Sequence, residues 1–223
     1  MTTGGSPAWV TFEGRNGVGK TSLATAAADR LGGRCHRVAE LTDLPDTTLP
    51  GQVLHALRTH GDAFLRTGAP HTETQLLMAL QTHRYETHPP LPPGHVVVED
   101  RGPLSVAVYQ AAVLHPDDTD AALGTAAAIL ETSARWRPAP DATIVLRDDP
   151  QRCAQRYTAR LGRTLTDDEK AIMTVAATLY DQLAEDIPRV HVVDRRTATD
   201  AGVLDEIVDI CLDAALTSTG SMT

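Results

Sequence analysis

Apolar residues occur along the chain in short runs and in longer segments with helical spacing. The short runs predict five strands, at about 8–13, His36–Glu40, His95–Asp100, Ala142–Leu146 and Val190–Val193. Val96-Val97-Val98 is the clearest, because a continuously apolar run is typical of a strand buried on both faces of a parallel sheet. The longer segments predict helices at about 20–31, 51–60, 73–88, 105–114, 118–135, 150–161, 167–185 and 200–216. This alternation predicts an α/β fold whose parallel sheet is covered by helices on both faces.

The length and the lack of a long linker in the sequence predict one domain. The chain has 223 residues, of which 42% are hydrophobic and 22% charged, and this suits a single α/β domain with a sizeable core. We expect a flexible arm at 1–7, one domain at 8–216 and a flexible tail at 217–223. The polar start does not read as a signal peptide, and no apolar run approaches the ~18 residues that span a membrane.

Charge and cysteine content exclude several classes of partner. The net charge of −9 argues against non-specific binding to nucleic acid or to anionic membranes, so we expect neither as a partner. An anionic substrate would then need a local cluster of arginines. Cys35, Cys153 and Cys211 are odd in number and far apart, which suggests neither a disulfide framework nor a zinc site. The expected location is the cytoplasm.

A glycine-rich turn lies between the first predicted strand and the first predicted helix. Gly14, Gly19, Lys20 and Thr21 fit the P-loop pattern G-x-x-x-x-G-K-[ST], for which a chance match in this chain is on the order of 1% or less. In such a loop, backbone N–H groups and the lysine hold phosphate oxygens, and the threonine hydroxyl can ligate Mg²⁺. A turn without a ligand would leave Lys20 unexplained, since the chain has only one other lysine, Lys170. The residues predicted to bind ATP are Arg15, Asn16, Gly17, Val18, Gly19, Lys20, Thr21 and Ser22.

The central valine strand ends in Glu99-Asp100-Arg101. A carboxylate at the carboxyl end of a strand beside the P-loop strand is where an acid that organises Mg²⁺ is needed. An adjacent arginine can hold a phosphate with two hydrogen bonds. The alternative is a capping aspartate and a surface arginine, but the P-loop upstream favours the functional interpretation. Thr21 and Asp100 are therefore the predicted metal ligands.

Three segments resemble the thymidylate kinase family of P-loop nucleoside monophosphate kinases, and the related deoxynucleoside kinases less closely. They read FEGRNGVGKTS, EDRGPLSVAVYQ and PDATIVLRDDPQRCAQR. The second segment matches the family form D-R-x-x-x-S-x-x-A-Y-Q at Asp100, Arg101, Ser105, Tyr109 and Gln110, with Val108 in place of the alanine. The resemblance covers about residues 8–216. It implies a three-layer P-loop NTPase fold, a five-stranded parallel sheet and a lid at about 152–168.

The resemblance also implies roles for the matching positions. Arg101 would hold the acceptor phosphate, and Asp100 would organise Mg²⁺ through water. The lid arginines Arg152, Arg156, Arg160 and Arg163 would supply charge in the transition state, and Arg156 and Arg160 are the favoured pair. Catalytic roles are thus predicted for Lys20, Arg101, Arg156 and Arg160. The predicted substrate-binding residues are Asn16, Glu40, Arg58, Met78, Thr82, Arg101, Ser105, Tyr109 and Gln110. A homodimer is also implied, and the apolar helix at 105–114 is a candidate for its surface.

The sequence departs from the family at the positions that recognise the base and the sugar of the acceptor nucleotide. Asn16 stands where the family has an acid that faces the acceptor sugar, and Gly102-Pro103 replaces an aromatic residue. An ungapped alignment puts Met78 at the stacking phenylalanine and Thr82 at the arginine that reads the base. Arg84 could replace that arginine only if the register shifts. The sequence therefore predicts that dTMP is a poor or non-natural substrate.

These observations favour a nucleotide kinase that transfers the γ-phosphoryl group of ATP to a nucleoside monophosphate, with Mg²⁺ as cofactor. The first alternative is a nucleoside kinase that phosphorylates a 5′-hydroxyl, for which Glu40 would be an essential general base. The second is a regulatory nucleotide-binding NTPase. The sequence has no obvious guanine-reading N-K-x-D stretch, which argues against a GTPase switch.

Overall fold

The computed structural model describes residues 6–38, 40–58 and 62–220. The described residues contain a parallel five-stranded sheet in the order β2-β3-β1-β4-β5. Its strands are β1 (Ala8–Glu13), β2 (Cys35–Val38), β3 (Val96–Asp100), β4 (Ala142–Arg147) and β5 (Val190–Asp194). The predicted fold class is confirmed, and the buried valine run lies in β3 directly beside β1.

Helices cover both faces of the sheet. They are α1 (Lys20–Leu31), α2 (Leu49–Arg58), α3 (Pro70–Thr87), α4 (Pro103–Leu114), α5 (Thr119–Ala134), α6 (Pro150–Leu161), α7 (Asp167–Asp186) and α8 (Asp200–Gly220). One apolar core joins α1 and α8 to one face of the sheet, and a second joins α4, α5 and α7 on the other. Within the described residues, no helix is long and apolar enough to cross a membrane.

Several element ends differ from the prediction. The α3 helix begins at Pro70, three residues early, because proline is tolerated in a first turn and the Glu73 carboxylate accepts hydrogen bonds from the backbone before the helix. The α8 helix continues to Gly220, so 217–220 are helical rather than tail, and the hydroxyl of Thr217 bonds carbonyls of its own helix. The helix predicted at 51–60 begins at Leu49 and is described as far as Arg58, while 59–60, 1–5 and 221–223 lie outside the described residues.

The α4 helix is buried over most of its length. Every residue from Pro103 to Ala112 is buried, and the helix packs against α3, α5 and α7. The expectation that this helix supplies a homodimer surface is therefore wrong, because its apolar residues are already covered by the same chain. Its first turn instead lies beside the carboxyl ends of β1 and β3, the edge of a parallel sheet at which ligands bind.

Candidate active site

The P-loop has a backbone that side chains would obstruct. Gly14 has φ 125° and Gly17 has φ 80°, both in the left-handed region that favours glycine. A Cβ at Gly14 would come within 2.6 Å of the Leu146 carbonyl oxygen, and one at Gly17 within 2.0 Å of the Cys153 carbonyl oxygen. The loop is thus packed against the end of β4 and the lid helix α6.

Lys20 begins α1 and folds back over this loop. Its side chain is buried, and its Nζ donates to the carbonyl oxygens of Gly14 at 2.7 Å and Arg15 at 2.9 Å. Burial, followed by the positive charge of Arg101, lowers the pKa of Lys20 to about 7. A bound polyphosphate would favour the protonated amine, because negative charge nearby raises the pKa of a lysine.

Thr21 and Asp100, the predicted metal ligands, come together at the end of β3. Asp100 is fully buried, and its carboxylate oxygens have no hydrogen-bond partner among the described residues. Burial raises the pKa of Asp100, and the Thr21 side chain is close enough to oppose that shift. The described residues hold no group of three or more His, Cys, Asp or Glu side chains that could bind a metal. One carboxylate and one hydroxyl fit Mg²⁺, which keeps several waters and takes oxygen ligands from phosphates.

Arg101 follows Asp100 and joins the P-loop to the segment after β2. Its Nε lies 2.6 Å from Glu40 Oε1, its Nη2 donates to Asn16 Oδ1, and its guanidinium lies 5.5 Å from the Tyr109 ring centre. The Tyr109 hydroxyl in turn accepts from the backbone N–H of Asn16 at 2.8 Å. Burial disfavours the charged form of Glu40, but the charges of Arg101 and Lys20 outweigh it and lower its pKa.

Glu13, at the end of β1, is a site residue that sequence reasoning missed. Its carboxylate is buried and accepts from the backbone N–H of Gly102 at 2.9 Å and from the Ser105 hydroxyl. The Ser105 oxygen also lies 2.9 Å from the Tyr180 hydroxyl. Burial raises the pKa of Glu13 to about 7. The sequence signal for this residue was an acid directly before the P-loop. The strand pattern did not show which residues that acid would contact.

Several of these groups line a cleft of about 690 Å³, whereas Glu13, Lys20 and Asp100 are not among its described lining residues. The predicted site residues among its lining are Asn16, Thr21, Ser22, Glu40, Arg58, Arg101, Ser105, Tyr109, Gln110 and Arg160. Apolar walls come from Leu54, Phe64, Leu77, Val106 and Tyr157, and the rings of Phe64 and Tyr109 stack with centres 5.9 Å apart. A cleft of this size with a few converging charges suits one nucleotide.

The α3 residues that line the cleft each lie one position before those that the ungapped alignment placed there. Leu77 and Gln81 line the cleft, whereas Met78 and Thr82 are not among its described lining residues. Met78 packs against the apolar core, and the Thr82 hydroxyl donates to the Met78 carbonyl oxygen at 3.2 Å. One position on a helix is a rotation of about 100°, which is enough to exchange a facing residue for its neighbour.

Arg84 lies under the cleft. It is buried, pairs with Glu99 at 3.4 Å, and donates to the Arg101 carbonyl oxygen at 3.2 Å. It is not among the described residues that line the cleft.

The four lid arginines on and after α6 have different surroundings. Arg156 donates to the Gly17 carbonyl oxygen at 3.2 Å and to Asp148 at 2.7 Å, so it lies over the P-loop. Arg160 faces the acceptor side, with its guanidinium 5.3 Å from the Tyr157 ring centre. Arg163 pairs with Glu169 at the start of α7 and lowers the pKa of that acid to about 2, while Arg152 is exposed.

Two further arginines belong to the P-loop or contact it outside the cleft. Arg15, predicted to bind ATP, lines a separate cavity of about 390 Å³ with Arg147 and Asp181. Val18 is buried in the core, and its carbonyl oxygen accepts from Arg195 at 2.6 Å. Arg195 follows β5, and no local pattern in the sequence marks it, because its contact with the P-loop joins residues 177 positions apart.

Comparison with known proteins places the chain beside one family. A family model described as thymidylate kinase matches residues 12–203. Thymidylate kinase of Bartonella henselae is 31% identical over 213 residues, which cover 91% of this chain and 94% of that protein. The crystal structure of the Ehrlichia chaffeensis enzyme has a TM-score of 0.61 at 17% identity and covers 92% of this chain and 98% of that one. A Candida albicans thymidylate kinase structure, described as revealing the origin of broad substrate specificity, has a TM-score of 0.67 at 15% identity over 93% and 92% of the chains.

Proposed function

This chain belongs to the thymidylate kinase family, and we propose that its cleft holds a nucleoside monophosphate against Arg101 while the P-loop holds ATP. The chain is an ATP-dependent nucleoside monophosphate kinase that transfers a phosphoryl group to that acceptor. The observation that supports these residue roles best is the contact of Arg101 with Asn16, because it puts a phosphate-binding guanidinium directly beside the donor loop.

On the donor side, the P-loop amides and Lys20 hold the β- and γ-phosphates, and the amino end of α1 adds its dipole. Thr21 and Asp100 would hold Mg²⁺, which when bound neutralises charge on the donor phosphates. Arg156 lies over the P-loop through its bond to the Gly17 carbonyl oxygen, so it can reach the donor phosphates from the lid side.

On the acceptor side, Arg101 exchanges its contact with Glu40 for the acceptor phosphate, and Arg160 closes over the transferring group. Fixed positive groups of this kind stabilise the charge that develops on the equatorial oxygens. A phosphate acceptor is already ionised and needs no base. Glu40 is paired with Arg101 and has a lowered pKa, which makes it a weak base and a good orienting partner. This arrangement supports a monophosphate acceptor over a 5′-hydroxyl.

We propose further that dTMP is not the preferred acceptor. The side-chain oxygen of Asn16 is committed to Arg101, so it offers the sugar less than a carboxylate would. The α3 residues that line the cleft, Leu77 and Gln81, provide neither a flat stacking face nor an arginine. Phe64 and Tyr109 supply the aromatic surface from other elements, so the base would meet a differently built pocket.

We expect the kcat/KM for dTMP to be matched or exceeded by that for at least one other monophosphate. The panel contains ribo and deoxy forms of the pyrimidine and purine monophosphates, assayed by coupled ADP release at saturating ATP. Pockets that lack the polar groups for one substrate lose discrimination by orders of magnitude. A preference for dTMP of about tenfold or more over every other acceptor would contradict the proposal. Turnover of nucleosides but not of monophosphates would favour the 5′-hydroxyl alternative instead.

We expect a homodimer, as the family resemblance implies, and a location in the cytoplasm. Its surface must be one other than α4, which the chain itself covers. Light scattering at micromolar concentration checks this expectation, and the mass of a single chain would contradict it.

A further inference from the structure

Arg101 has a strained backbone that its neighbours hold in place. Its φ is 64°, in the left-handed region that residues with a side chain rarely adopt. The N–H of Arg101 donates to the Phe12 carbonyl oxygen at 3.1 Å, and the next N–H, of Gly102, donates to Glu13 at 2.9 Å. Such a conformation persists only where the surrounding structure fixes it. The position of the Arg101 guanidinium therefore depends on the groups that bond this turn.

Gln81, on α3, forms hydrogen bonds to the Arg101 turn and to its surroundings with both the nitrogen and the oxygen of its amide. Its Nε2 donates to the carbonyl oxygens of Arg101 at 3.0 Å and Gly102 at 3.4 Å. Its Oε1 accepts from Arg137 Nη1 at 2.9 Å. Gln81 lines the cleft, but only 3% of its surface is exposed. Its amide is therefore occupied by hydrogen bonds within the protein.

Arg137 fixes the orientation of the Gln81 amide. Its guanidinium is buried and donates to both carboxylate oxygens of Glu99, with its centre 4.8 Å from the Trp9 ring. A guanidinium can only donate, so it must face the amide oxygen of Gln81 and turns the amide nitrogen toward the Arg101 carbonyl. An amide is the side chain that can accept on one side and donate on the other.

We propose that Gln81 is a positioning residue that holds the Arg101 turn in its phosphate-binding conformation, with Arg137 as its anchor. The inference rests on the proposed role of Arg101 toward the acceptor phosphate. It assigns the cleft-facing part of α3 a task other than reading the base. Loss of Gln81 should therefore impair use of every monophosphate alike, whatever its base.

The first test replaces Gln81 by leucine, with Gln75→Leu on the exposed side of α3 as the matched control. We expect Gln81→Leu to lower acceptor kcat/KM by about 10-fold to 100-fold, the cost of a small misplacement of a catalytic group, and to leave the ATP KM unchanged. The loss should be equal for acceptors with different bases, and Gln75→Leu should behave as wild type. A loss confined to one base would show that Gln81 reads the base and would overturn the proposal.

The Gln81→Glu variant tests whether Gln81 positions the Arg101 turn or only pairs with Arg137. The carboxylate still accepts from Arg137 but places a negative oxygen against the Arg101 carbonyl. We expect this variant to melt close to wild type and to use the acceptor as poorly as Gln81→Leu does. Wild-type acceptor kinetics in Gln81→Glu would show that only the bond to Arg137 matters and would overturn the proposal. This variant decides the matter alone if Gln81→Leu fails to fold.

A double-mutant cycle with Arg101→Ala separates this inference from the proposed function. If Gln81 acts through Arg101, Gln81→Leu adds no further loss of acceptor kcat/KM in the Arg101→Ala background. Fully additive losses would overturn the positioning role while leaving the role of Arg101 intact. An Arg101→Ala enzyme with normal acceptor kinetics would instead refute the proposed function on which this inference rests.

Discussion

Lys20→Ala will lower kcat by at least about 100-fold and leave the fold in place, as removal of one transition-state donor does elsewhere. The P-loop orients the Lys20 side chain, because its Nζ donates hydrogen bonds to the Gly14 and Arg15 carbonyl oxygens. Burial works against the charged amine and lowers the pKa of Lys20. The variant therefore removes a desolvated cation, and we expect a melting temperature within about 5 °C of wild type.

Lys170→Ala is the control for this change. Lys170 is the only other lysine in the sequence, and it is exposed on α7 in an ion pair with Asp167. Exposed pairs of this kind contribute little to stability, so kcat and the melting temperature should both stay at wild-type values. Near-normal turnover in Lys20→Ala, with the fold intact, would refute phosphate binding by the P-loop lysine.

Arg101→Ala will raise the acceptor KM and lower kcat, with a combined loss in acceptor kcat/KM of at least about 100-fold, as expected when a buried charge partner is removed. ATP affinity should change little, because Arg101 forms its hydrogen bond to the donor loop with the Asn16 side chain. The variant also leaves the buried Glu40 carboxylate with fewer positive neighbours. Its pKa should therefore rise toward or above the ordinary value for a glutamate.

The measurement is steady-state kinetics with each substrate varied in turn, together with ATP binding by calorimetry. Arg30→Ala is a suitable control, since Arg30 forms an exposed pair with Asp205 on the α1 and α8 surface. It should leave both KM values unchanged. A loss of ATP affinity as large as the loss of acceptor affinity would contradict an acceptor role for Arg101.

The sequence by itself determined the elements of the fold and the position of the P-loop. Runs of valine and isoleucine predict buried parallel strands, and helical spacing of apolar residues predicts the helices, because both patterns are local and each follows from one period of the backbone. The P-loop was predictable for the same reason, since Gly14, Gly19, Lys20 and Thr21 are within eight positions of one another. Asp100 and Arg101 were predicted as site residues because parallel strands bring their carboxyl ends to one edge.

Only the tertiary structure decided which side chains meet across that edge. The bond from Ser105 to Glu13 joins residues 92 positions apart, and that from Arg137 to Gln81 joins residues 56 positions apart. The cleft-facing side of α3 depends on how the helix is rotated against α4, and one residue of register exchanges Met78 for Leu77. Local periodicity shows that a helix has a buried face, but packing against the rest of the chain sets which residues face the substrate.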